Sequence, residues 1–256
     1  LNTVIFCPED LQLIKGTPSG RRRFLDMEIS QTSATYYHQL MQYNRLLQQR
    51  NAILKEYRGK QNIPLEEWDL QLADMASFIV KKRLESLKKI NLLIDLMNRK
   101  LTGGLENLTI GYEQPYMDNG SLEYTKEGFY ERIKAALPQD RHRMTTSVGP
   151  HRDDLRFFSD AMDLKKFGSQ GQQRTAVLSL KLSELEFIKS EVGEYPVLLL
   201  DDVLSELDES RRANLLQFIH KRIQTFITTT DIHDFKDLKS VQFISCEGGK
   251  VQYGQP

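Results

Sequence analysis

Cysteine is nearly missing from this sequence: two residues in 256, Cys7 and Cys246, far apart and in no metal-ligand spacing. That excludes a disulfide-stapled scaffold or a zinc ribbon, and makes a reducing, cytoplasmic compartment the expectation. No apolar run approaches the roughly 20 residues that a membrane-spanning helix needs, so no membrane partner is expected. Nor does a secretory leader read at the start. An excess of charge of one sign is also missing, since Lys+Arg and Asp+Glu both number 35. A net charge of zero gives no whole-molecule attraction for a polyanion, so any nucleic-acid contact has to be a local basic patch.

Apolar residues make up 39% and charged residues 27%, which is the balance of a globular chain with a charged surface. Leu1–Phe6 reads as an interior strand entered mid-chain, so the sequence is expected to be a piece of a longer protein. A Gly/Pro/Ser turn follows at Gly16–Gly20, and from Arg21 to about Leu101 the pattern is helical, broken once around Gly59 and Pro64. Tyr36, Leu40, Tyr43, Leu47, Leu54 and Tyr57 recur at alternating 4/3 spacing, with Arg50 the one polar interruption. Trp68, Leu72, Met75 and Ile79 start a second stripe, which shifts by one residue and resumes as Leu84, Leu87, Ile90, Ile94, Met97 and Leu101. Two such helices joined by one turn pack as an antiparallel hairpin on the order of 50 Å long. Gly103-Gly104 reads as its C-cap. Beyond it come a strand (Leu108–Glu113), a helix (Lys126–Leu137) and a loop, Ser147–Asp154. Then helix, strand, helix, strand and a hairpin turned at Gly248-Gly249 alternate, the signature of an α/β layer with a parallel sheet.

The chemistry concentrates in that last part. Val197–Leu200 is a run of four aliphatics with no alternation, as for a strand buried on both faces, and it delivers Asp201 and Asp202 at its carboxyl end. Two adjacent carboxylates there repel unless a cation offsets them, and a hydrated Mg²⁺ shared with substrate phosphates is the usual solution. Ser205-Glu206-Leu207-Asp208 follows and leads into a helix, with Asp208 where an N-cap belongs. Upstream, Gly168-Ser169-Gln170-Gly171-Gln172-Gln173 opens a helix. Unblocked backbone N–H groups, the helix N-terminus, the Ser169 hydroxyl and the Gln172 and Gln173 amides make an anion site there. Signature, then acidic strand end, then Ser-x-x-Asp is the order of an ABC ATPase. The phosphate loop Gly-x-x-x-x-Gly-Lys-Ser/Thr does not occur, so these residues amount to half of a nucleotide site.

Those motifs, with Pro8-Glu9-Asp10 running through Gly16-Thr17-Pro18 to Arg22-Arg23-Phe24-Leu25-Asp26 and with Leu199–Asp208, resemble the RecF family of bacterial recombination-repair proteins over the whole chain. The resemblance implies an α/β fold, an ABC/SMC-type ATPase head with an inserted antiparallel helical-hairpin arm. It divides the chain at 1–20 (end of an N-terminal ATPase lobe), 21–104 (helical arm) and 105–256 (C-terminal lobe with signature, Walker B and D-loop). It implies ATP held between two heads, with Ser169, Gln170, Gly171, Gln172 and Asp208 as cofactor contacts. Asp201 would hold Mg²⁺, and Asp202 would polarise the attacking water where other ABC proteins use Glu. Thr229 or Thr230 stands where a switch His is common. The implied role is dimerisation on double-stranded DNA at single-stranded gaps, assisting RecA loading with RecO and RecR; Lys165, Lys166 and Arg152 are candidate DNA contacts beside Arg21–Arg23 and Arg141–Arg143. A weak DNA-stimulated ATPase is expected of the complete protein, and none of a chain without the phosphate loop. The competing reading is a non-enzymatic scaffold whose helical arm docks partners.

Overall fold

A computed structural model describes residues 1–58, 64–104, 106–116, 124–230, 235 and 241–254. Strand β1 (Thr3–Phe6) opens the chain, and a 3-10 turn, Pro8–Leu11, leads into a one-turn helix α1 (Gln12–Lys15). Helix α2 (Pro18–Thr32) starts with proline at its first position, where the missing N–H costs nothing, and the Thr17 hydroxyl caps it by accepting from the Gly20 N–H. The single long helix expected from Arg21 onward is divided at Ser33. That residue leaves the helical backbone region and caps α3 (Ala34–Glu56) by accepting from the Tyr36 N–H at 3.2 Å.

The hairpin partner of α3 is α4 (Glu66–Thr102), which ends on Gly103 in the left-handed region, as its glycine pair predicts. Of the expected break, Pro64 lies among the described residues and Gly59 outside them. The hairpin's arms are unequal. At 1.5 Å per residue, the 37 residues of α4 span about 55 Å and the 23 of α3 about 35 Å. The longer helix also packs against β2 (Leu108–Glu113), α5 (Lys126–Ala135) and α8 (Gln170–Val192). Where its apolar stripe shifts, the buried positions are Ala76, Ser77, Ile79, Val80 and Arg83.

After α5 come α6 (Leu137–Arg143), a 3-10 turn at Pro150–Arg152, β3 (Asp154–Ser159), β4 (Met162–Asp163) and the short α7 (Leu164–Phe167). Then follow α8, β5 (Val197–Asp201), α9 (Glu209–Ile219), β6 (Thr225–Thr228) and the hairpin β7 (Ile244–Glu247) and β8 (Lys250–Tyr253). Strands β1, β5 and β6 form a parallel sheet in that order, with Phe6 opposite Leu200 and Asp201 opposite Thr228. Everything from Pro8 to Tyr195 is therefore inserted between two neighbouring strands. A second, antiparallel sheet has the order β2-β3-β4.

Helix α8 fills the centre and is buried nearly all round, including Ser179, Lys181, Ser183 and Glu184. It covers one face of the parallel sheet, where Val4, Phe6, Leu198 and Leu200 are buried. The opposite face is another matter. The cross-strand row Ile5–Leu199–Phe226 has Ile5 and Phe226 more than half exposed. The strand expected to be buried on both faces is covered on one among the described residues.

Arg50 and Arg83, both buried, help to join the helical part to the rest. Arg50, fully buried on α3, donates to Asp69 of α4 at 2.6 Å, to Asp140 of α6 at 2.7 Å and to the Thr146 hydroxyl at 3.0 Å. Arg83 of α4 pairs with Asp26 of α2 at 2.9 Å and donates to the Pro150 carbonyl at 2.7 Å. Asp153 stands 3.4 Å from the same guanidinium and accepts from the Tyr112 and Tyr116 hydroxyls. The Ser147–Asp153 loop is thereby clamped. His151 accepts from Tyr43 through Nδ1 at 2.6 Å and reaches the Thr146 carbonyl through Nε2 at 3.0 Å, so Nε2 carries the proton. Burial lowers its pKa to about 4 and keeps the ring neutral. Gly149, at φ +131°, lies where any Cβ would collide with the Tyr43 hydroxyl.

Candidate functional site

Asp201 ends β5 and Asp202 follows it, both exposed at the carboxyl edge of the parallel sheet. The neighbouring strand fixes them. Thr228, opposite Asp201 in the register, donates its hydroxyl to Asp201 Oδ1 at 2.6 Å and accepts the Asp202 N–H at 3.0 Å. Asp202 sits at φ +50°, a left-handed conformation that Asp tolerates better than most residues and that turns its side chain out of the strand's alternation. Ser205 donates its hydroxyl to the Asp202 carbonyl at 2.8 Å. Asp208 caps α9, accepting the Arg211 N–H at 2.9 Å and pairing with its guanidinium at 2.6 Å. The residue on Asp201 is thus Thr228, a partner the sequence did not single out. The strand register was the only signal for it.

Ser169 is the N-cap of α8 and forms a capping box with Gln172: the Gln172 N–H donates to Ser169 Oγ at 3.2 Å, and the Ser169 N–H to Gln172 Oε1 at 3.0 Å. The hydroxyl accepts here and keeps its own proton to give. The N–H groups of Gln170 and Gly171 have no intrahelical acceptor, as in any first turn, and an added Cβ at Gly171 would meet only Ser169 Oγ, at 4.0 Å. This is an exposed, donor-rich helix tip. The expected glutamine donors are spent otherwise: Gln172 Nε2 goes to Glu106 at 3.0 Å, and the buried Gln173 goes to the Leu164 carbonyl at 2.7 Å.

Antiparallel packing of α8 against the sheet brings its N-terminus to the edge where β1 and β5 end. A shallow recess there is lined by Phe6, Cys7 and Pro8 after β1, Arg174 and Val177 of α8, and Val203 and Leu207 after β5. The turns of α8 that follow the Ser169 cap and the segments after β1 and β5 therefore meet at this recess, with Asp202 and Asp208 next in sequence to its Val203 and Leu207.

The expected basic contacts divide. Arg21 is buried, bidentate on Asp154 at 2.7 and 2.8 Å, and is a structural ion pair. Arg22 is half-buried and donates to the Asp153 carbonyl at 2.6 Å. Arg152 is exposed, yet its guanidinium holds the Thr146 carbonyl at 2.6 Å. Lys165 is exposed and reaches the Gly16 carbonyl at 2.7 Å, while Lys166 and Phe167 project beside the signature tip.

No protein-family model matches the chain. The chain is 50% identical over 241 residues, 93% of its length, to the DNA replication and repair protein RecF of Alkaliphilus oremlandii (strain OhILAs), covering 66% of that protein. It is 45% identical over 258 residues to the RecF of Halalkalibacterium halodurans, covering 98% of this chain and 70% of that one. A solved structure of the recombination mediator protein RecF-ATP in the RecFOR pathway superimposes with a TM-score of 0.88 at 36% identity, over 99% of this chain and 67% of that one. The chain thus spans about two thirds of the length of the relatives it matches, 66% of each of the first two.

Proposed function

The chain belongs to the RecF family of DNA replication and repair proteins, and from that premise we propose that it forms most of the head and arm of an ATP-gated DNA-binding switch. The division at 1–20, 21–104 and 105–256 into lobe end, arm and second lobe is part of that proposal. What supports it is two exposed features of this chain, an aspartate pair at a parallel strand's end and a serine-capped helix tip.

On one molecule these are two half-sites. A two-fold dimer would set the donors of Ser169, Gln170 and Gly171 against the nucleotide edge of the partner copy, which is how a helix tip recognises a terminal phosphate. Gln172 would hold the tip in shape through its capping box, and Asp208 would order the turn at the dimer seam. The acidic edge fits a hydrated divalent cation, since Asp201 is exposed and anchored through one oxygen by Thr228. Magnesium, when bound with nucleotide, supplies charge neutralisation at the phosphates. Asp202 would then accept the proton of a water placed beside it. Its side chain is one methylene shorter than glutamate, which suits slow turnover, a switch more than a motor.

Lys165, Lys166 and Arg152 are the DNA contacts of this reading, with Lys166 free to reach a phosphate and Arg152 contributing whatever the Thr146 carbonyl leaves. Action at gaps in duplex DNA, with RecO and RecR as partners and RecA loading as the outcome, belongs to the same proposal. It is tested on the full-length protein by Asp202→Asn. Nucleotide affinity should persist, turnover should fall by about 10²-fold or more, and the ATP-bound dimer should survive in sedimentation. Unchanged turnover overturns the role of Asp202.

A further inference from the structure

Three carboxylates face one ammonium group in the buried contact between α8, α2 and the turn after β1. Lys181 Nζ stands 3.3 Å from Glu184 on its own helix and 3.4 Å from Asp10. Glu28 of α2 is the third carboxylate, and Lys181 acts on it electrostatically. Lys181, Glu184 and Glu28 are all buried, and the Phe24 ring lies under the ammonium at 5.5 Å. Asp10 is tied down separately, accepting the Cys7 N–H at 3.0 Å. Glu28 has only a 3.5 Å contact from Gln31 to Oε1; its Oε2, buried, has no hydrogen-bond partner among the described residues.

The charges do not balance. With every group ionised, one ammonium would serve three carboxylates, two of them buried, in the wall of the cavity beside α2. Uncompensated buried charge is among the costliest features a fold can carry, and the ordinary escape is to take up a proton. Asp10 is partly exposed and already bonded to a backbone N–H, whereas Glu28 and Glu184 are enclosed. The proton therefore belongs to the glutamates.

We propose that Glu28 and Glu184 together hold one proton at neutral pH, making a protonation-dependent joint between the helix that carries the Ser169 tip and the turn that follows β1. Burial raises the Glu28 pKa to about 7 and that of Glu184 well above its ordinary value, with Lys181 opposing both shifts. Loss of the proton draws Lys181 toward the glutamates and away from Asp10, which loosens that turn. The stability part stands by itself; the consequence for nucleotide rests on the function proposed above.

The sign follows from proton binding. Between the ordinary carboxylate pKa and about 7 the folded chain holds a proton that the unfolded chain has lost. The stability it supplies is thus present at low pH and declines as pH rises through that window. Glu28→Gln mimics the protonated form. Its melting temperature should match wild type at about pH 5 and exceed it by several degrees at about pH 8. A gap that is constant with pH, or a variant less stable at high pH, overturns the proposal.

Carboxyl ¹³C titration of glutamate-labelled wild type decides the matter even if the variant does not fold. A glutamate titrating near neutral pH supports the joint, and all glutamates titrating below about pH 5 sink it. In Lys181→Met that midpoint should rise further, while Lys181→Arg should keep it near wild type. A midpoint indifferent to both removes Lys181 from the joint. Full-length protein then separates the two claims: a pH-dependent melting gap without any pH-dependent change in ATP affinity leaves the joint intact and denies its link to nucleotide.

Discussion

Arg50 shows what a single residue does when it breaks a pattern. It is the polar member of an apolar stripe, and a stripe residue of an α-helix packs inward whatever its chemistry. The fold answers by bringing Asp69 and Asp140 to it from two other helices. Such a pair adds little net stability over an apolar substitute, but removing one side leaves buried charge with no counterion. Arg50→Met should therefore cost about 3–5 kcal/mol in a urea melt; a loss under about 1 kcal/mol, the scale of an exposed pair, would mean that the site admits water. That Arg50 is buried was legible from its spacing. Its partners were not, because Asp140 lies 90 positions away and nothing local points to it. Thr228 was missed for the same reason: strand register, set by the whole sheet, selected it over its neighbours.

At the scale of elements, the hairpin helices, β5 and the last hairpin were readable because each has its own local signal: 4/3 spacing, an aliphatic run, a Gly-Gly turn. Strand β3 was not. Its inward residues Leu155, Phe157 and Ser159 do alternate, but Phe158 on the outward face disguises the period. Gly111 on the neighbouring strand leaves room for that ring, since an added Cβ would lie 3.0 Å from it. Helix α8 illustrates which force holds an element. Ser169→Ala removes one side of the capping box and should cost about 1 kcal/mol. Leu180→Ala, in the fully buried middle, should cost about 2–5 kcal/mol. Comparing both by chemical denaturation tests the claim that tertiary packing, more than the cap, keeps α8 helical. A larger loss for Ser169→Ala than for Leu180→Ala would reverse it.

For the whole molecule, the consequential feature is the row Ile5–Leu199–Phe226 on the sheet face away from α8. Adjacent apolar side chains of this size, exposed side by side on a sheet face, favour association. Sedimentation of this chain should therefore show self-association at tens of micromolar, about where weak apolar contacts act. Phe226→Asp should shift it toward monomer without lowering its helix content. A wild-type chain that stays monomeric throughout that range denies the row any role in association.

By itself the sequence determined the class of protein and the order of most of its elements, and it nominated the residues of a candidate site. Each of these is written in short windows: a signature before a helix, two aspartates after four aliphatics, apolar spacing along two helices. Only the tertiary structure decided which of those residues meet. It left the Ser169 tip and Asp201 exposed, spent the Gln173 amide and Arg21 on internal bonds, chose Thr228 as the aspartate's partner, and enclosed Glu28, Glu184 and Lys181 together. The physical reason is that hydrogen bonds and ion pairs are settled by distance in space, and distance here follows from an insertion of nearly 190 residues between two neighbouring strands.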